Sequence, residues 1–496
     1  MHETGSGWLI TTLTDSPVVV ALLQTATFLP AFFMMLPSGA LSDILDRRLY
    51  LMSGNITMMV VAALTAVLTL GGWIEAWSLL VLTLFRGLGT AMIMPAWQSI
   101  VPEIVPRSEL QAAIGLNTLG MNVSRVIGSL VAGVIIASLG TGMVFVVNAL
   151  SLIFVIVALA RWKRVPPETA LPPERFSHAI GTGLRYARHS PALLATIYRS
   201  VGFYFFGSVM WAMLPLIARD LLQGDARTYS YLFAAISIGA IIVAFAIPYA
   251  RRRLNNDQII TYASILFALG IALTALVPLY AVALVALGVC GGMWIAVMTS
   301  AQMSAQTALP NWVKARGLAV FLTCFMGSLA IGPVVWGALT DITSLPTAML
   351  VASAGLVIAS QLTKRWPVSG NDQLDHTPSQ HWRKPALKLD VKPDQGPVKI
   401  TVRYDVEPHQ LTAFLGEINL LGLARKRDGA VYWGIFEDAN TPGVFVETYV
   451  VRSWLDHLRQ HERISRQDAQ TQARIKALLK DGTAPVVEHF ITPSRV

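Results

Sequence analysis

Apolar stretches long enough to cross a membrane recur along the first 362 positions, and nothing else in the sequence constrains the fold as strongly. A bilayer core about 30 Å thick needs roughly 20 apolar helical residues. Eleven such runs are complete: 18–42, 49–71, 77–99, 112–138, 142–161, 192–218, 229–250, 258–278, 280–304, 316–338 and 345–362. Lipid offers no partner for an unpaired peptide group, so each run is expected to be helical. Only 14% of residues are charged, against about 25% in a soluble domain. The expected fold class is an all-α polytopic membrane protein carrying a C-terminal α+β domain.

Basic residues sort onto alternate loops. Arg47 and Arg48, Arg107, six between Arg161 and Arg188, Arg251 to Arg253, and Lys314 with Arg316 fall on one side, fourteen in all, against Arg219 and Arg227 on the other. The excess of basic residues marks the cytoplasmic side, which also receives everything after the last span. Residues 1–362 hold 19 Lys/Arg and 13 Asp/Glu, so +6 of the +9 net charge consists of topology signals. Nucleic acid is therefore not an expected partner. Cys290 and Cys324 lie in apolar runs without a CxxC or histidine pattern, giving no sign of a disulfide framework or a zinc site.

The sequence repeats at an ungapped offset of 204. Arg47 and Arg48 pair with Arg251 and Arg252, Gly87 with Gly291, Gln98 with Gln302, and Pro106 with Pro310; Ile127-Gly128 to Gly133 falls on Ile331-Gly332 to Gly337. Two six-helix halves in the same orientation follow. The expected domains are a first half at 1–160, a cytoplasmic connector at 161–191, a second half at 192–362, a Pro-, Asp- and Lys-rich linker at 363–396 and a soluble domain at 397–496. Residue 192 maps upstream of Met1, so the first span is expected to lack about a dozen residues at its start, the alternative being an eleven-helix plan.

Charges inside the spans carry the functional expectations. Arg86 lies near mid-bilayer, where a cation needs a counter-charge or a cavity, and Glu3 is the nearest candidate anion. Asn122 and Arg125 share a helix face. With Asn117 they are cavity candidates, interhelical hydrogen bonding being the alternative. The aromatic run Phe203 to Phe206 with Trp211 is read as helix packing rather than a stacking site.

The loop Gly39-Ala-Leu41-Ser-Asp43-Ile-Leu-Asp46-Arg47-Arg48 resembles the loop signature of the major facilitator superfamily, whose two-half plan the repeat also matches. The resemblance implies that Gly39 lets helices approach, and that Asp43, Arg47 and Arg48 form a charge lock holding the outward-open state. Ile44 and Asp46 depart from the pattern, so a rewired lock is expected. Arg86-Gly87-Leu88-Gly89 resembles the superfamily's fourth-helix feature tied to proton coupling, which makes Glu3 and Arg86 the proton-coupling candidates. Gly128 and Gly133 resemble the antiporter glycines of the fifth helix, with Ser129 at the family's Pro.

The tail reads as strand (Lys399–Val406), helix from His409, strands Val431–Phe436 and Phe445–Val451, a helix from Ser453 to Lys480 and a last strand Pro485–Ile491. This βαββαβ order is a ferredoxin-like split, and it resembles the antibiotic-biosynthesis-monooxygenase type of dimeric α+β barrel. His457 and His461 are four apart, but charged neighbours suggest a solvated face. No metal, cofactor or catalytic residue is expected there. Val431, Trp433 and Ile435 with Val444 and Val446 are expected to form one apolar face that closes a homodimer; the competing account makes that face the domain's own core.

The incomplete Trp8–Pro17 first helix, the loop motif and the tail from Arg427 to Glu462 together resemble a bacterial branch of the superfamily termed transmembrane secretion effector, which includes relatives of the enterobactin exporter. That resemblance implies a non-enzymatic, proton-driven exporter in the inner membrane. Its partners would be the lipid bilayer, protons and a small-molecule substrate such as a siderophore, drug or metabolite. The alternative is a membrane-anchored enzyme or ligand sensor acting through residues 397–496; an anchor, however, needs one span rather than a repeated set.

Overall fold

Each predicted span folds as a helix, and short polar caps set where helices restart. The computed structural model describes the backbone of residues 1–44, 46–105, 109–162, 176–310, 312–368, 391–392, 394–480 and 483–493, with some side chains inside these ranges left out. The helices are α1 (His2–Leu13), α2 (Pro17–Ile44), α3 (Arg47–Leu70), α4 (Ala76–Ile104), α5 (Leu110–Leu139), α6 (Thr141–Arg161), α7 (Phe176–His189), α8 (Pro191–Leu216), α9 (Ala226–Ala250), α10 (Asn256–Leu276), α11 (Tyr280–Thr307), α12 (Lys314–Ile342) and α13 (Leu345–Leu362). Among the described residues ten are long and apolar enough to cross a membrane, and α5 adds the shorter stretch Val123–Leu139. Asp46 caps α3 by accepting from the backbone N–H groups of Arg48 and Leu49. Asn255 and Gln258 form a capping box on α10.

The repeat is visible in the helices themselves. Shifted by 204, the starts of α4, α5 and α6 fall on the starts of α11, α12 and α13, and α1 falls on the last part of α8. The halves pack on each other through α2 against α12 and α5 against α9. Thr25 donates a 2.8 Å hydrogen bond to the Ala330 carbonyl, and Trp8 stacks on Tyr229 at 6.3 Å. In the second half Phe203 and Tyr204 are buried edge-on against Trp294, Phe267 and Phe325, and Trp336 Nε1 donates to the Phe205 carbonyl at 2.9 Å. These aromatic side chains therefore pack helices together. An ion pair between the buried Arg199 and the partly exposed Asp257, at 2.7 Å, ties α8 to α10.

The chain forms two compact units: Met1–Pro173, Ala195–Met303 and Phe321–Ser369 make one, and Glu174–Leu194, Ser304–Val320 and Gly370–Val496 the other. In the second unit β1 (Val398–Asp405), β2 (Tyr432–Glu437), β3 (Val444–Val451) and β4 (Val486–Ile491) form an antiparallel sheet in the order β2-β3-β1-β4. Val398, Ile400, Val402 and Tyr404 alternate inward along β1 and pack with Phe445 and Tyr449 against Phe414, Ile418 and Leu421 of α14 (Leu411–Asp428).

Three expectations about the fold need correction. The helix drawn from Ser453 to Lys480 is two helices, α15 (Trp454–Arg463) and α16 (Arg466–Ala477), because Ser465 and Asp468 form a capping box that starts a new helix. The apolar face of β2 and β3 was also assembled from opposite sides. The register sets Ile435 opposite Glu447 and Trp433 opposite Tyr449, on the helix-covered side, whereas Phe436 faces Val446 and Tyr432 faces Val450 on the open side. The connector, read only as a basic loop, contains the helix α7.

Candidate functional site

Three helices of the first half bring charged side chains to one place. Arg86 sits ten residues into α4, about 15 Å along it, and its Nε is buried with no hydrogen-bond partner among the described residues. The acidic group whose field acts on Arg86 is Glu3, in the first turn of α1. Among the described residues no ion pair within 4 Å joins them, so the carboxylate and the guanidinium interact across a gap. Arg125 of α5 is exposed and, like Arg86, acts electrostatically on the start of α1. Beside Arg86, a Cβ on Gly87 would lie 2.7 Å from the Thr27 carbonyl and 3.0 Å from Pro30 Cγ, so α2 can approach α4 only because this residue is glycine.

The remaining sequence candidates separate by position. Asn117 accepts a 3.3 Å hydrogen bond from Trp97 Nε1, which is the interhelical alternative between α4 and α5. The side chains of Gly39, Asp43, Arg47 and Asn122 lie outside the described residues. Arg48 donates through Nε to the Leu159 carbonyl at 2.7 Å, and also to the Ala160 carbonyl, so it binds the end of α6. A cation there answers the unpaired carbonyls and the negative end of the helix dipole. Gly128 faces the start of α1; Gly133 lies against Ser230 and allows α5 to close on α9. Ser129 donates to the Val126 carbonyl at 2.9 Å and leaves α5 without a proline break, whereas α12 carries Pro333.

Sequence reasoning missed one polar side chain near this locus. His2 is buried edge-on against Phe145 at 4.9 Å, with Asn148 Nδ2 3.5 Å from its Nδ1. His2 was legible as a polar residue at the start of α1, but not as a neighbour of Phe145 and Asn148. Elsewhere, on α2, Gln24 Oε1 is buried with no hydrogen-bond partner among the described residues.

A family model described as "Transmembrane secretion effector" matches residues 1–496. The chain belongs to the transmembrane secretion effector family. Its curated relatives include macrolide efflux protein A of Streptococcus pyogenes, 22% identical over 53% of this chain and 65% of the relative. The chain thus spans just under two-thirds of that relative's length. The multidrug efflux pump Tap of Mycolicibacterium fortuitum is 23% identical over 71% of this chain and 88% of Tap; the enterobactin exporter EntS of Escherichia coli O1:K1 is 24% identical over 71% and 83%. Among solved structures, a mutant form of the nucleoside transporter NupG matches with a TM-score of 0.64 at 11% identity, covering 73% of this chain and 94% of NupG. A bacterial homolog of the human lysosomal transporter Spinster matches at 0.58 and 15% identity, over 74% and 93%. The membrane part of this secretion effector family member therefore shares its fold with those solved structures.

The C-terminal part holds a second polar cluster. His457 Nε2 lies 3.2 Å from His461 Nε2 and 3.0 Å from His489 Nε2, with Trp454 packed on His457 at 5.2 Å. His457 is 1% exposed, which corrects the expectation of a solvated face: β4 runs beside β1 and brings His489 under α15. Among the described residues no group of three His, Cys, Asp or Glu side chains is arranged to hold a metal ion. Burial first, then the imidazoles of His461 and His489 and the Arg425 guanidinium, hold the His457 pKa down at about 3. An unfolded histidine titrates near 6.5, so between those values the unfolded chain binds the extra proton. Stability is full at pH 7 and falls as the pH drops through 6.5 toward 3. At pH 5 the loss from His457 is expected to be about 2 kcal/mol. Urea unfolding of the full chain at pH 7 and pH 5, followed by hydrogen exchange in α15, measures it; His457→Gln should flatten the pH dependence.

Proposed function

We propose that this chain is a secondary active transporter that exports a small molecule, of the siderophore, drug or metabolite class, across the bacterial inner membrane in exchange for protons. The observation that carries the reading is Arg86, whose Nε is buried without a hydrogen-bond partner among the described residues, with the Glu3 carboxylate as its acidic neighbour. A proton taken up by Glu3 removes the counter-charge of Arg86 and changes what the site attracts. That linkage is what antiport requires, and efflux relatives of the macrolide, multidrug and enterobactin kinds support the direction. The domain division of the sequence reading, with residues 397–496 as a ferredoxin-like cytoplasmic domain after the linker 363–396, belongs to the same proposal. So does the cytoplasmic lock of Gly39, Asp43, Arg47 and Arg48. Inside-out vesicles carrying the chain test the function. Erythromycin and enterobactin, the probe solutes, should enter when a pH gradient is imposed and stop when nigericin collapses it; no gradient-dependent uptake of either rejects the reading for these classes.

The homodimer expectation moves to the open face of the sheet. Tyr432, Phe436, Val486 and Phe490 are exposed there, and Lys399 lies over the Phe490 ring at 5.8 Å. Glu488 and Thr401 occupy the middle row, with Lys399 and Arg403 on either side along β1. A two-fold copy would set Glu488 against those cations and cover the aromatic rings, a self-complementary arrangement of the kind homodimers use. Light scattering of the full chain in detergent is expected to give a dimer that Phe490→Glu converts to monomer. A monomeric parent protein at tens of micromolar rules the dimer out.

A further inference from the structure

The helix α7 links the two halves in sequence, yet it packs with the turn between α11 and α12 and with the C-terminal domain in one compact unit. Tyr186 is the centre of this packing. Its ring is buried, meets Trp312 edge-on at 5.8 Å, and lies under the Arg427 guanidinium of α14 at 5.7 Å. Its hydroxyl donates to the carbonyl of Ala308, the residue after α11, at 3.3 Å. One turn earlier Gly183 backs onto Arg316, where a Cβ would meet Arg316 Cβ at 2.9 Å and its carbonyl oxygen at 3.1 Å.

Arg427 is itself fixed. It donates to Asp428 at 2.9 and 3.0 Å and to Asp468 at 2.7 Å, so α14 and α16 both orient it. Burial works against its charge, but the two carboxylates outweigh that and hold its pKa well above the usual arginine value. A guanidinium pinned by two carboxylates and stacked on a buried ring keeps one geometry, because its planar fork has few alternative partners.

We propose that the C-terminal domain is a conformational brace. Through Arg427 and Tyr186 it grips the connector helix and the α11–α12 turn together, and so fixes the connector to the second half while the halves move. The inference rests on the exporter reading for its purpose, but its geometry does not depend on which solute is carried. Any interaction that draws Arg427 off Tyr186 would release the connector, which makes the contact a point of control over the transport cycle.

The test uses the full chain in detergent, in the parent form and as Arg427→Ala and Gly183→Ala. The second variant leaves every residue of the sheet and its helices in place and pries α7 from Arg316. Hydrogen exchange in 176–189 and 304–316 is expected to rise at least about tenfold in both variants, with β1, β3 and α10 unchanged. Spin labels at positions 161 and 253, after Cys290→Ser and Cys324→Ser, are expected to show a broader distance distribution in both variants. Unchanged exchange in 176–189 and 304–316 overturns the brace. Faster exchange with an unchanged label distribution also overturns it, since the contact would then hold a helix without governing the halves. Failure of the exporter reading shows separately, as no gradient-driven uptake by the parent protein.

Discussion

Glu3→Gln is expected to lower pH-gradient-driven efflux at least about tenfold while leaving solute-for-solute exchange intact. A charge inside the membrane is costly unless a partner or a cavity offsets the lost hydration. Among the described residues Arg86 Nε has no hydrogen-bond partner, and Glu3 is the acidic group whose field acts on it. Gln keeps the size and polarity of the Glu3 side chain but cannot take up and release the proton. The variant should therefore bind solute and exchange it for solute across the membrane, but fail to run that exchange against protons. Counterflow of a labelled solute in vesicles without a gradient, measured beside gradient-driven uptake, separates the two. Loss of both would indicate a folding defect, and Arg86→Leu then serves as the second variant, with the same expected split. Undiminished gradient-driven efflux in Glu3→Gln would falsify the assignment.

Glu447→Ala is expected to cost the C-terminal domain about 3–5 kcal/mol, most of what a domain of this size commonly has. Glu447 is fully buried and accepts four hydrogen bonds: from Arg425 Nε at 3.0 Å and Nη2 at 3.4 Å, Tyr404 at 2.9 Å and Trp433 Nε1 at 3.0 Å. Removing it leaves the buried Arg425 cation uncompensated and two aromatic donors unpaired, a larger penalty than the loss of the attraction itself. Glu447→Gln retains an acceptor for Tyr404 and Trp433 and should cost less. Urea midpoints of the full chain, followed by exchange in β1 and β3, give both numbers; a loss under about 1 kcal/mol for Glu447→Ala contradicts the account.

The membrane helices were legible because their cause is local. A run of 20 apolar residues must satisfy its own peptide groups in lipid, whatever its neighbours do. The offset of 204 held to the residue for α4, α5 and α6 for the same reason: each start is set by nearby caps and loop residues. Along β1 the alternation of Val398, Ile400, Val402 and Tyr404 also announces a strand with one buried face.

What only the tertiary structure decided is which side chains meet. Arg86, Glu3 and Arg125 come from three helices, and no spacing within one helix encodes the approach of another. The faces of β2 and β3 were mixed because each strand shows its own alternation, but the partner register, Ile435 to Glu447 rather than to Val446, is fixed by pairing across strands. His457 looked solvated among the charges of α15 until β4 brought His489 beneath it. The amphipathic α7 gives no hint in sequence of the Arg427 that covers its Tyr186 across more than two hundred residues. Local chemistry fixes elements, because backbone satisfaction and apolar periodicity are short-range; contacts between elements arise only when packing chooses among the surfaces those elements present.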